Sequence, residues 1–105
     1  MSVALLVPEL EGSPERIVPI ATDELYSREW MPVADRLGLT WLKRFHLGVS
    51  VGRADLDEAI GEFLSAGRTF AADGKHHLGE RASVVVETLR DLARTDTPNL
   101  SVFIG

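Results

Sequence analysis

The sequence predicts a small α/β fold, with α+β as the alternative, in which about three helices pack on a sheet of three to four strands. Two long segments after residue 55 repeat their apolar residues with the period of an amphipathic helix. Short apolar runs typical of strands lie near both ends of the chain. Because 105 residues support one hydrophobic core, we expect a single domain over residues 1–105, built as a two-layer sandwich.

The first two predicted strands form a hairpin. Residues 3–7 are a short apolar run that ends at Pro8, and residues 16–20 are rich in β-branched side chains. A turn around Gly12 separates the two runs. Because Pro19 cannot donate a hydrogen bond to a neighbouring strand, we expect the second strand to lie at an edge of the sheet.

A first helix is predicted over about residues 23–37, with Thr22 as its N-cap and Gly38 as the residue that ends it. Its apolar residues recur one turn apart and share one face: Tyr26, Trp30, Val33, Ala34 and Leu37. Pro32 removes a backbone hydrogen bond on the outer side, so we expect a kink there. We expect Met31 to point away from the apolar face.

The segment Leu39–Leu47 is predicted to be a strand, with a helical turn as the alternative. Its apolar residues alternate as those of a strand do: Leu39, Trp41, Phe45 and Leu47. Lys43 interrupts this apolar face, and the spacing of Leu42 and Phe45 also suits a helix.

Two long helices follow, one starting near Asp55 and one over about residues 77–94, before a final strand at residues 100–104. The first helix has one apolar stripe: Leu56, Ala59, Ile60, Phe63, Leu64, Phe70 and Ala71. The second has another: Leu78, Ala82, Val85, Leu89 and Leu92. Gly67 lies in the middle of the first stripe, where glycine costs about 1 kcal/mol of helix propensity. We therefore expect another element to pass closely over it.

Composition limits the class of partner. The chain has 16 acidic and 11 basic residues and a formal charge of −5, so phosphate backbones repel it. The densest basic cluster, Lys43, Arg44 and His46, is too small for a nucleic-acid footprint, and we expect no nucleic-acid partner. The absence of cysteine excludes disulfides and thiolate chemistry.

Hydropathy and charge also predict where the protein works. No apolar run approaches the ~20 residues that a membrane-spanning helix needs, so we expect no membrane partner. The first residues have no basic segment ahead of their apolar run, unlike a signal peptide. We expect a soluble cytoplasmic protein, and the predominance of arginine over lysine suggests a bacterial genome of high GC content.

One short motif points to catalysis. The segment Gly48–Gly52 matches the nucleophile elbow G-x-S-x-G, with Ser50 as the nucleophile. Its base would be a histidine, with His46, His76 and His77 as the candidates. In an elbow the helix begins at the serine, whereas here it begins several residues later, and the flanking valines predict a solvent-facing strand serine. We therefore assign no catalytic residue, and a small hydrolase that uses Ser50 is the alternative function.

A second group has the residue types of a metal site. His76, His77 and Glu80 lie close together in the sequence. On a helix, adjacent side chains diverge by ~100°, so only His76 and Glu80 would share a face. We therefore expect no metal ion. No glycine-rich phosphate-binding motif occurs, and we expect no cofactor.

The leading functional hypothesis is a non-catalytic protein–protein interaction module. Val84 is predicted to project outward from its helix among three carboxylates, Glu80, Glu87 and Asp91. An apolar residue ringed by acidic groups is suited to docking on a basic protein. By analogy, the module could be an antitoxin-like or immunity-like inhibitor. A homodimer formed through Val84 or an edge strand is a further hypothesis.

Overall fold

The computed structural model describes residues 2–10, 12–95, 97 and 99–105, and it shows an antiparallel sheet packed against helices. The strands of the described residues are β1 (Ser2–Val7), β2 (Arg16–Thr22), β3 (Val49–Gly52) and β4 (Ser101–Ile104). Their order across the sheet is β2-β1-β4-β3. The helices are α1 (residues 23–37), α2 (Thr40–Phe45), α3 (Leu56–Ala72) and α4 (His76–Ala93). The predicted two-layer sandwich is confirmed.

The β1–β2 hairpin and the edge position of β2 are also confirmed. β1 lies between β2 and β4, and nothing pairs with the other side of β2 among the described residues. The register slips by one residue, because Val3 pairs with Ala21 but Ala4 pairs with Pro19. Ile20 is therefore the extra residue of a β-bulge beside the edge proline.

Helix α1 contains a wide turn that the sequence pattern does not predict. An α-helical turn at Asp23–Leu25 is followed by a π-helical turn at Tyr26–Trp30, and α-helix resumes at Met31–Leu37. Pro32 thus falls in the first turn of the last segment, where its missing N–H needs no partner within the helix.

The π-helical turn also changes which side chains face the core. One extra residue in a turn rotates everything after it by ~100° around the helix axis. Met31 packs against the core, and Leu37 is 42% exposed, so the predicted positions of these two residues are wrong. The predicted ends are correct, since Thr22 accepts a hydrogen bond from Leu25 N and Gly38 has φ +69°.

The predicted strand at Leu39–Leu47 is wrong, because most of this segment forms α2. Trp41, Leu42 and Phe45 share the buried side of this short helix. Lys43, which interrupts the alternating pattern, lies on the other side and pairs with Asp35 at 3.2 Å. The helical alternative that the spacing of Leu42 and Phe45 allows is therefore the correct one.

Helices α3 and α4 pack against each other as an antiparallel pair, and Gly67 lies at a close approach between them. A Cβ atom at Gly67 would lie 3.2 Å from the Cβ of Ala82, and one at Gly79 would lie 3.4 Å from the Gly67 carbonyl oxygen. The expected close approach over Gly67 is confirmed. Among the described residues, no helix is long and apolar enough to cross a membrane.

Candidate binding surface

One face of the sheet packs against the helices, and the opposite face, the outward face, carries no charged side chain among the described strand residues. On β1 and β4 the inward side chains Val3, Leu5, Val102 and Ile104 are buried, so the intervening residues face outward. With their cross-strand neighbours, the outward residues are Ser2, Ala4, Leu6, Ile17, Pro19, Thr22, Ser50, Gly52, Ser101 and Phe103. An antiparallel sheet that faces water usually has polar residues on that side.

The outward face has an apolar row across three neighbouring strands. Leu6 is paired with Ile17 on one side and with Phe103 on the other. The three side chains are 37%, 64% and 41% exposed, respectively. Ser50, which pairs with Phe103, continues the row onto β3. Adjacent exposed apolar side chains of this size are typical of an interaction surface, unlike scattered single ones.

Two glycines hold the ring of Phe103 close to the sheet. A Cβ atom at Gly48 would lie 2.8 Å from Phe103 Cζ, and one at Gly105 would lie 2.9 Å from the same atom. Gly48 also has φ +93°, which residues with a side chain rarely adopt. A side chain at position 48 would push the ring outward, and one at position 105 would clash with the Gly48 backbone as well as with the ring. Because both positions lack a side chain, the Phe103 ring lies close to the sheet and does not project beyond its neighbours in the row.

A shallow groove of about 300 Å³ runs along this row, and all three side chains of the row line it. It is lined by Leu6, Val7, Pro8, Glu15, Arg16, Ile17, Ser101 and Phe103. The two charged residues, Glu15 and Arg16, have opposite signs and belong to the end of the hairpin. The groove therefore adds apolar contact area to the row without adding net charge.

The structure does not join Ser50 to a histidine. Ser50 lies exposed on β3, as the flanking valines predict, and none of the described hydrogen bonds links it to His46, His76 or His77. His76 lines a groove of about 450 Å³ between α3 and α4, whereas Ser50 and His46 do not. The proposed pair of Ser50 with a histidine base remains a prediction.

A different serine contacts a histidine. Ser27 Oγ lies 3.1 Å from His46 Nε2, and the imidazole stacks on Tyr26 with 5.7 Å between ring centroids. The contact forms because the π-helical turn and the end of α2 meet, so no local pattern in the sequence signals it. Ser27 is exposed, and it does not line the α3–α4 groove or the groove along the apolar row. The bond therefore joins two helices at the surface.

The two adjacent histidines diverge, as their positions on a helix predict. His76 lines the α3–α4 groove together with Glu80, whereas His77 lies near Glu29. A hydrogen bond from Lys75 lowers the pKa of Glu29, and the nearby charge of His77 contributes in the same direction. Within the described ranges, no group of three or more His, Asp or Glu side chains could hold a metal ion.

The predicted partner surface on α4 is exposed but carries both signs of charge. Val84 is 44% exposed, and Glu80, Glu87 and Asp91 are exposed around it. Asp91 pairs with Arg94 at 3.0 Å, and a small groove brings Arg90 and Arg94 beside Glu87 and Asp91. The outward face of the sheet is more apolar than this surface and has no such ion pairs.

No family model matches the chain, and no curated protein and no solved structure shows significant similarity to it.

Proposed function

We propose that this protein is a non-catalytic interaction module that associates with a second copy of itself through the outward face of its sheet. The row formed by Leu6, Ile17 and Phe103 is the observation that carries this proposal. Placing the three side chains against the same row of a second copy would remove them from water, which is the main favourable term in association.

Charge favours a second copy as the occupant. Each chain has a formal charge of −5, so two copies repel one another wherever charged surfaces meet. The outward face lets them approach without placing like charges in contact, because its described strand residues are uncharged. A strongly basic partner would instead be drawn to carboxylates, and the outward strand residues carry none.

The shape of the outward face also suits stacking against a second copy. Two twisted sheets of the same hand stack face to face about 10 Å apart, with their strands inclined by ~30°. Because Gly48 and Gly105 have no side chains, the ring of Phe103 lies close enough to the sheet for such stacking. Four strands of about five residues give a projected area of roughly 320 Å². This is smaller than a standard interface of about 800 Å² per partner, so we expect a weak, reversible association that has to be sampled at micromolar concentrations and above.

Sedimentation equilibrium between about 1 and 500 µM tests the proposal, since this range brackets micromolar affinity. The wild-type mass should rise with concentration to at least twice the monomer mass. Phe103→Lys and Ile17→Lys place a charge in the stacked face and should halve the mass reached. Val84→Lys is the matched control, because Val84 is similarly exposed but lies on α4. A wild type that stays monomeric, or lysine variants that assemble like it, would refute the stacked dimer.

The outer surface of α4 stays accessible in the stacked dimer, because the helices cover the opposite face of each sheet. An antitoxin-like or immunity-like inhibitor would bind its basic partner there. The net charge of −5 and the exposure of Val84 support this form of the proposal. Glu80 takes part in none of the described ion pairs and Glu87 lies beside Arg90, so of these two carboxylates Glu80 is the one more available to a basic protein.

A further inference from the structure

The two edges of the sheet differ in whether another strand can add to them. On β2, Pro19 pairs with Ala4, and Ala4 exchanges both of its backbone hydrogen bonds with Gly105 on the opposite side. In an antiparallel ladder this places the Pro19 nitrogen at the open edge of β2. That edge lacks a donor at Pro19 and is bulged at Ile20, two features that prevent strand addition.

The open edge of β3 has neither feature. The N–H of Arg53 donates to the Leu100 carbonyl at 3.2 Å, which fixes the alternation of hydrogen bonds along β3. Val51 and Val49 therefore bond to β4, and the N–H and C=O groups of Ser50 and Gly52 point away from it. No described strand lies beyond β3, and its sequence, Val49–Gly52, contains no proline and no charge.

We propose that β3 pairs antiparallel with β3 of a second copy, joining two four-stranded sheets into one of eight strands. The pattern of free groups is self-complementary. When Ser50 of one copy lies opposite Gly52 of the other, each such pair exchanges two hydrogen bonds, and the two-fold axis passes between the two Val51 residues. Every free N–H and C=O group of the strand then has a partner.

Side chains near the edge are compatible with this register. Ser50 and Gly52 are the outward residues, and both are small, so they do not separate the two strands. Since β3 carries no charge, two chains of formal charge −5 meet here without a like-charge contact. Leu47 is 92% exposed just before β3, and it is available to cover the end of the joined strands.

Edge pairing does not depend on the stacked dimer proposed above, and the two contacts are geometrically compatible. The axis for edge pairing is perpendicular to the sheet, whereas the axis for stacking lies parallel to it. When the stacking axis runs along the row and meets the edge-pairing axis, the two perpendicular two-fold axes generate a closed tetramer of two eight-stranded sheets with the helices outside.

Ser50→Pro tests the edge directly. Proline removes only an N–H that points away from β4, so β3 becomes like β2, where Pro19 already lies at the edge. Ser50→Thr is the matched control, because threonine keeps the N–H and suits a strand. In native mass spectrometry and sedimentation, we expect Ser50→Pro to reach half the mass of both the wild type and Ser50→Thr, and the comparison with Ser50→Thr separates the lost N–H from the effect of a larger side chain on the outward face. A Ser50→Pro protein that is folded by circular dichroism and keeps the wild-type mass would overturn the inference.

A second measurement uses the wild type alone, so it does not depend on how well Ser50→Pro folds. Amide hydrogen exchange at Ser50 and Gly52 should slow at least tenfold between dilute and assembling concentrations, while exchange at the edge of β2 stays constant. Exchange at Ser50 that is independent of concentration would contradict edge pairing. Phe103→Lys separates the two proposals. If the protein forms the edge-paired dimer but does not stack, Phe103→Lys keeps the wild-type mass and Ser50→Pro still halves it.

Discussion

The hydroxyl of Tyr26 donates a 2.6 Å hydrogen bond to the carbonyl oxygen of Leu42. The N–H of the same residue, Leu42, donates to Glu62 Oε1 at 3.1 Å. Side chains from α1 and α3 thus bind both backbone groups of one residue in α2. These bonds hold a helix of only six residues in place, at the position where the sequence alternates like a strand.

Replacing Tyr26 by phenylalanine should destabilise the fold. The Leu42 carbonyl would lose its donor in a buried position, which costs about 1–3 kcal/mol. The pKa of Tyr26 is raised by burial and by the charge of Glu62, so the folded state favours the neutral hydroxyl. Stability should therefore fall as pH rises above the ordinary tyrosine value of about 10. Urea denaturation at pH 7 and pH 11 measures both effects.

Tyr26 is the single tyrosine of the chain, so the Tyr26→Phe variant is the control for the pH effect. In the phenylalanine variant, the part of the alkaline loss that comes from Tyr26 should disappear. Equal losses of stability between pH 7 and pH 11 in both proteins would show that the hydroxyl is not held neutral by the fold.

Removing the charge of Glu29 should weaken the contact between α1 and the start of α4. Lys75 donates a hydrogen bond to this carboxylate and lowers its pKa below 4.5. A lowered pKa stabilises the fold above the unfolded value, and this contribution is lost as pH falls below about 4.5. Glu29→Gln should therefore be less stable than the wild type at pH 7, and the difference should narrow at pH 3. Glu24→Gln, at an exposed pair with Arg28, should change little in the same urea titrations.

Alanine at two glycines of α3 should have opposite effects. Gly61 has open space around it, so Gly61→Ala should stabilise the protein by about 1 kcal/mol through helix propensity. At Gly67 the new Cβ would lie 3.2 Å from the Cβ of Ala82, which cannot rotate away. Forcing the two helices apart costs about 1–3 kcal/mol, so Gly67→Ala should be destabilising. Thermal unfolding measures the change in stability of each variant. If Gly67→Ala were stabilising like Gly61→Ala, α3 and α4 would be able to move apart at no cost.

The serine residues should not react with a fluorophosphonate probe. Ser50 has no histidine partner among the described hydrogen bonds, and Ser27, which contacts His46, is exposed at the surface. Intact-mass spectrometry after incubation should show no adduct. An adduct that disappears in Ser50→Ala or in Ser27→Ala would identify a nucleophile and contradict the non-catalytic proposal.

The sequence predicts the two long helices and the strands near both chain ends, but it does not predict the short helix α2. Helices α3 and α4 each repeat an apolar stripe over more than four turns, so the pattern averages over many residues. Helix α2 has six residues, and its alternating apolar letters fit a strand equally well. The decisive contacts come from Tyr26 and Glu62, which lie 16 and 20 residues from Leu42. Local patterns contain no information about such bonds.

The candidate surface is not predictable from the sequence for a related reason. Leu6, Ile17 and Phe103 lie in three separate strands, and each one alone is an ordinary exposed apolar residue. Only the register of β2, β1 and β4 makes them neighbours. The π-helical turn is missed in the same way, although Pro32 marks where the helix must depart from regular geometry.

The difference between the two edges determines how large an assembly can become. Strand addition at β3 uses the free edge, and Pro19 with the bulge at Ile20 blocks the far side of each joined sheet. If β3 pairs as proposed, growth by edge pairing ends after one step, because both outer edges of the joined sheet are then β2 edges that resist further strand addition.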